Sequence, residues 1–190
     1  MTSIAERLLT EDEFLALPDD PEGRKMELYD GRVIYMPPTG EEHGVLAQNI
    51  NAAMWPFIRQ HKLGRTFMDT GFKLRSNPDR VVEPDVAFIE TAVLAANPDP
   101  AKSVPAAPTL AVEVISPSNR YTEVADNVLE YLAAGSSRVW VVRPTTKTVT
   151  VHRPDLTSRT HHEHETLTSD EAGFTVDGFE LPVSDIFELD

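Results

Sequence analysis

Leu110-Ala111-Val112-Glu113-Val114-Ile115, followed at once by Ser116-Pro117-Ser118, is the stretch on which the fold turns. Five apolar residues around one acid, several of them β-branched, predict a strand buried on both faces. Ser-Pro-Ser ends that strand in a turn and hands the chain to a helix. A carboxylate in such a place needs a cation, a metal or several donors, because an unpaired buried charge is costly. Glu113 is therefore either an acid kept for chemistry or one half of an internal salt bridge with Arg120 or Lys73.

Downstream, Val124, Val128, Tyr131 and Leu132 mark the buried stripe of a helix from about Tyr121 to Ala134, with Gly135 as its C-terminal cap. A buried strand follows over Arg138 to Val142, with Lys147 to His152 as its hairpin partner. The tail carries a weak strand near Phe174 to Val176 and a turn of helix near Ile186. Upstream, Val81 to Ile89 and Arg65 to Arg75 read as two strands joined by Ser76-Asn77-Pro78-Asp79. Asp85, Ala87 and Ile89 fall on one face of the first of these. A helix begins near Glu41 and carries Leu46, Ile50, Met54 and Phe57; Pro56 kinks it or ends it at Trp55. Asp30-Gly31 between Met26–Tyr29 and Arg32–Met36 is a hairpin signal, with Glu27 and Tyr29 on one strand face. Thr10 and Glu13 form a capping box before a short helix from Glu11 to Leu17. Residues 92–108, rich in Ala and Pro, read as a surface excursion. Strands and helices mix without strict alternation, so the fold class is α/β (α+β), a mixed β-sheet flanked by helices with added β-hairpins.

The chain has 190 residues, enough for one domain over 1–190 with a full core. It has no cysteine, which excludes disulfides, thiolate zinc sites and a cysteine nucleophile. No apolar run is long enough to span a bilayer and no signal peptide is recognisable, so the expected location is cytoplasmic. With 17 Lys and Arg against 31 Asp and Glu, the net charge is −14, which opposes tight non-specific binding of polyanions. A basic band, Arg59, Lys62, Arg65, Lys73, Arg75 and Arg80, interrupts that acidity. It is a solvated strand face or a surface for phosphates.

Three acids stand on or beside strands: Glu27, Asp85 and Glu113. If the strands of Asp85 and Glu113 are neighbours, two carboxylates converge, a donor set suited to Mg²⁺. A metal so placed activates water and offsets charge on a phosphate. His161, His162 and His164 could form a zinc or nickel site, but their acidic, loop-like segment predicts solvated side chains. Ser116 and Ser118 lack a Gly-x-Ser-x-Gly elbow and read as turn serines. Trp55 and Trp140 sit in apolar patterns and are expected in the core.

Pro84-Asp85 on a strand and Val112-Glu113-Val114-Ile115-Ser116-Pro117-Ser118 resemble the Uma-type family of restriction endonucleases, within the PD-(D/E)XK nuclease superfamily. Met26 to Arg32, Glu42-His43-Gly44, Glu130 to Gly135, Val139 to Val142 and Leu181-Pro182 to Ile186-Phe187 extend the resemblance over about residues 10–187. It implies a restriction-endonuclease-like core and Mg²⁺-dependent (or Mn²⁺-dependent) endonuclease hydrolysis of DNA. It casts Asp85 and Glu113 as metal ligands, Glu27 as a further ligand or orienting group, and His43 as a supporting residue. By analogy it implies a homodimer. The nuclease signature also has a lysine near the metal. In the Uma-type pattern that position is Asn127 here, and an asparagine can hold a water but brings no charge. Lys73 is the preferred substitute. The alternative is a catalytically degenerate binding or assembly module that keeps the nuclease fold.

Overall fold

The computed structural model describes residues 7–95, 99–116 and 121–189. In chain order its elements are α1 (Glu11–Leu15), β1 (Met26–Tyr29), β2 (Arg32–Tyr35), α2 (Glu41–His61), β3 (Gly64–Phe67), β4 (Phe72–Arg75), β5 (Arg80–Val82) and β6 (Val86–Glu90). There follow α3 (Thr91–Leu94), β7 (Leu110–Val114), α4 (Tyr121–Ala134), β8 (Arg138–Arg143), β9 (Thr148–His152), β10 (Ser158–His162), β11 (Thr166–Thr168), α5 (Ser169–Ala172), β12 (Glu180–Pro182) and α6 (Val183–Ile186). The roles considered for Pro117, Ser118 and Arg120 lie outside the described residues.

The Glu113 strand is β7, and it sits inside a six-stranded sheet of order β10-β9-β8-β7-β6-β3. β7 runs parallel to β8 and antiparallel to β6, so the sheet is mixed, as its uninterrupted apolar runs require. Leu110, Val112 and Val114 point to one face and pack with Leu46, Ile50, Met54 and Ile58 of α2. Ala111 points to the other and packs with Val124, Val128 and Tyr131 of α4. One helix on each face buries both sides of the strand. A second, four-stranded antiparallel sheet, β2-β1-β5-β4, holds the Asp30-Gly31 hairpin, whose two turn residues take φ of 52° and 75°. Thr10 and Glu13 close the capping box of α1.

Several expectations are corrected. Neither long strand upstream is continuous: each divides between the two sheets, β4 with β5 and β3 with β6. The break between β5 and β6 falls at Glu83-Pro84, where proline has no N–H to give a ladder. α2 runs through Pro56 to His61, because Ile58 beyond it is fully buried and Phe57 stacks on Phe174. That burial outweighs one lost helical hydrogen bond. Among the described residues of 92–108 the segment is mostly at the surface but is anchored at Val104, which is buried and pairs with Phe72 of β4. No strand forms at Phe174 to Val176; the Phe174 ring instead meets Phe88 and Phe179 edge-on.

The histidines differ from expectation too. β10 pairs with β9 and sets His161 opposite Val149, which turns His161 into the core at 1% exposure. Both of its ring nitrogens lack hydrogen-bond partners, with Glu165 and Glu171 carboxylates 4.0 and 3.9 Å away. Burial pushes its pKa down, so the ring is neutral. His162 and His164 stack on each other outside. Trp140 is in the core, its indole N–H donating to the Glu171 carbonyl at 2.7 Å. Trp55 is not. One position after buried Met54, it is rotated about 100° to the rim of α2 and stays 39% exposed.

Edge strand β3 approaches β6 so closely that a Cβ on Gly64 would lie 1.9 Å from the Ile89 carbonyl oxygen. Gly64→Ala is expected to lower stability by about 1–3 kcal/mol, read as a lower urea midpoint at unchanged slope.

Candidate active site

The β6/β7 ladder pairs Val86 with Val112 and Ala87 with Ala111. Continuing that register by one residue sets Asp85 directly opposite Glu113, on the face that α4 covers. The two acids that the sequence singles out therefore meet at one end of the sheet. Pro84 delivers Asp85 in extended conformation as the strand begins. The Asp85 carboxylate is held on both sides. Its Oδ2 accepts the Val114 N–H at 2.7 Å, and its Oδ1 lies 2.9 Å from His43 Nε2 in the first turn of α2. His43 thus orients Asp85, with its own Nδ1 buried and without a partner.

The Oε1 of Glu113 accepts a hydrogen bond from the Tyr131 hydroxyl of α4 at 2.8 Å. Burial raises its pKa well above the usual carboxylate range, and the charges of Asp85 and Glu27 push it further the same way. Glu27 comes from the neighbouring sheet. It is 6% exposed, and its Oε1 accepts the Glu83 N–H at 3.2 Å. Burial pushes its pKa up to about 7, against that hydrogen bond and the Lys25 charge. Glu27, Asp85 and Glu113 thus form a desolvated set of like charges. Among the described residues no group of three or more metal-capable side chains is already closed around one point. The donors are all carboxylate oxygens, which fits a hard cation that takes one or two protein carboxylates and completes its shell elsewhere.

Asn127, on α4, accepts the Tyr29 hydroxyl through its Oδ1, so it borders the set at the Tyr29 edge. Tyr29 is in turn covered by Arg80, whose guanidinium carbon is 3.4 Å from the ring centroid. Burial raises the Tyr29 hydroxyl to about 12, which keeps it a donor at neutral pH. Lys73 is not at this site. Its ammonium is bound by Asp79 at 2.8 Å and Glu11 at 3.2 Å, on the far side of the four-stranded sheet. The reason is strand parity: Lys73 pairs with Val81, whose side chain joins Phe14 and Leu28 away from the acids.

The cation beside the acids is Lys25, which sequence reading missed. It immediately precedes β1, and two-residue periodicity places Lys25, Glu27 and Tyr29 on one face. Its Nζ donates to the Glu83 carbonyl at 3.0 Å and lies 3.3 Å from a Glu83 carboxylate oxygen. Burial works against its charge, but Glu83, Glu27 and Asp85 outweigh that and hold its pKa above the ordinary value. Its signal in the sequence is the alternation through Glu27, extended one residue back from β1.

A family model named Uma2 and described as "Putative restriction endonuclease" matches residues 11–184. The chain belongs to that family. Among curated proteins none matches. The crystal structure of a protein described as a putative nuclease from Anabaena variabilis has the same fold, with a TM-score of 0.75. It is 22% identical, over 94% of this chain and 97% of that one. The architecture is thus restriction-endonuclease-like.

The Glu27 carboxyl has an ordinary pKa when unfolded and one of about 7 when folded. Folding therefore takes up a proton between those values. Stability from this group is complete below about pH 4.5 and falls as pH rises to 7. Without divalent cations, Glu27→Gln is expected to gain roughly 3 kcal/mol over wild type at pH 8 and nothing at pH 4. Denaturant unfolding at the two pH values measures that difference.

Proposed function

We propose that this Uma2-family chain is a Mg²⁺-dependent endodeoxyribonuclease that hydrolyses phosphodiester bonds in DNA, with Mn²⁺ as an alternative ion. The observation that carries the reading is the β6/β7 register, which opposes Asp85 and Glu113 beside buried Glu27. Asp85 and Glu113 would hold the cation, with Glu27 as a further ligand or an orienting acid. When bound, such an ion activates a water and offsets the charge that builds on the phosphate. The carboxylates have the corresponding need: burial and mutual repulsion raise the pKa values of Glu27 and Glu113, and a divalent charge relieves both.

The chain's own side chains then divide the remaining work. His43 and the Val114 N–H fix both Asp85 oxygens, so that carboxylate needs no reorganisation. Tyr131 fixes Oε1 of Glu113. Asn127, its Oδ1 taken by Tyr29, has its amide N–H groups to hold a water. Lys25 supplies the positive charge that Asn127 lacks, stabilising negative charge on the phosphate. The reading includes one restriction-endonuclease-like domain over residues 1–190, a homodimer and a cytoplasmic setting.

Asn127 also favours a second reading, a nuclease fold kept as a DNA-binding or assembly module without hydrolysis. Plasmid nicking separates the two. Under the first, wild type cleaves with Mg²⁺ or Mn²⁺. Asp85→Ala and Glu113→Ala each lose cleavage by about a hundredfold or more, along with the Mg²⁺-induced rise in melting temperature. Lys25→Ala is expected to lower kcat by about a hundredfold while that rise persists, and Lys25→Arg to recover part of the rate. Cleavage untouched by the Asp85 and Glu113 substitutions overturns the site. An inert wild type that gains activity on Asn127→Lys establishes the second reading.

A further inference from the structure

The basic band divides in the structure. Lys73, Arg75 and Arg80 are consumed by Glu11, Asp79, Asp30 and Glu130. Arg59, Lys62 and Arg65 are exposed and make no ion pair with a described residue. In a chain of net charge −14, three free cations side by side are a local exception.

Two of them flank Trp55: Arg59 one turn further along α2, and Arg65 across from it. Asn51, Trp55 and Arg59 follow one another at four-residue spacing, a stripe along one flank of α2, and Lys62 caps the end of that helix. Opposite the stripe runs β3, the outermost strand of its sheet, whose outer edge has no strand partner. Asn51, Trp55, Arg65 and Thr66 line a cavity of about 200 Å³ between helix and strand.

An aromatic face and Arg65 in one groove, with Arg59 and Lys62 exposed toward the end of the adjoining helix, match a single nucleic-acid strand. A base with an exposed π-face stacks on an indole, and the backbone follows positive charge. A duplex offers no free base face to an indole at the groove wall. Trp55 lies twelve residues after His43, about 18 Å along the axis of α2. That is on the order of five nucleotides at duplex spacing.

We propose that the groove between α2 and β3 binds single-stranded DNA, with one base stacked on Trp55. Arg59, Lys62 and Arg65 contact phosphates. The nuclease reading supplies the DNA as ligand, but the groove itself is tested without cleavage.

The test titrates the full chain in EDTA with a labelled 12-residue oligodeoxycytidine, following anisotropy and intrinsic tryptophan fluorescence. Trp140 is fully buried, so quenching reports Trp55. Saturable quenching is expected. Trp55→Leu should abolish the quenching and weaken binding about tenfold. Arg59→Ala and Arg65→Ala should each reduce the slope of log K against log salt by about 0.7, while Arg75→Ala leaves it unchanged. Binding without quenching, wild-type affinity and slope in Trp55→Leu and Arg65→Ala, or tighter binding of a duplex of equal length overturns the proposal. Asp85→Ala should bind the oligonucleotide normally. Loss of binding with plasmid nicking intact removes the groove alone, and binding without nicking removes the nuclease reading alone.

Discussion

The antiparallel register between β6 and β7 is the constraint on which the rest depends. A slip of one residue would turn Glu113 and Asp85 to opposite faces and bury one of them against α2. The hydrogen bond from the Val114 N–H to Asp85 holds that register where the ladder ends. It also makes Asp85 part of the sheet's backbone bonding and not merely a side chain near it. The site is therefore as rigid as the strands that carry it, which preorganised electrostatics requires.

That rigidity has an electrostatic cost. Three carboxylates, Glu27, Asp85 and Glu113, are held at one end of two sheets, with burial and repulsion acting on two of them in the same direction. Nothing in the packing of the apolar core calls for this arrangement. Leu110, Val112 and Val114 would bury as well beside an alanine at 113. Concentrated unfavourable charge inside an otherwise consistent fold is the physical mark of a site kept for a ligand. Lys25, one residue before β1, offsets part of the charge from outside the cluster.

The surface follows a similar logic. Charges that the fold needs are paired: Lys73 with Glu11 and Asp79, Arg138 and Arg153 with Asp170, Arg80 with Asp30 and Glu130. Arg59, Lys62 and Arg65 have no such partner among the described residues, and Arg65 lies beside the exposed indole of Trp55. The acidic cluster and the basic groove lie along the same helix, α2. His43 stands at its start and Lys62 caps its end with a left-handed φ of 54°.

The sequence by itself determined the local and periodic features. The Asp30-Gly31 turn, the Thr10–Glu13 capping box, the α4 stripe and the buried Glu113 strand rest on neighbours a few residues apart. The family motifs around Asp85 and Glu113 were legible for the same reason. Only the tertiary structure decided what depends on distant partners. Two long runs of strand-forming residues each had to divide between two sheets, because β3 and β4 pair with different strands. His161 became a core residue through its pairing with β9, although its own segment is polar. Lys73 and Lys25 both precede hydrophobic strand residues, and local alternation assigns each a strand face without fixing what that face meets. Their strands' cross-sheet neighbours turn one toward Asp79 and the other toward Glu83. Charge acts through space, so the partner of a lysine is settled when the sheets assemble and not before.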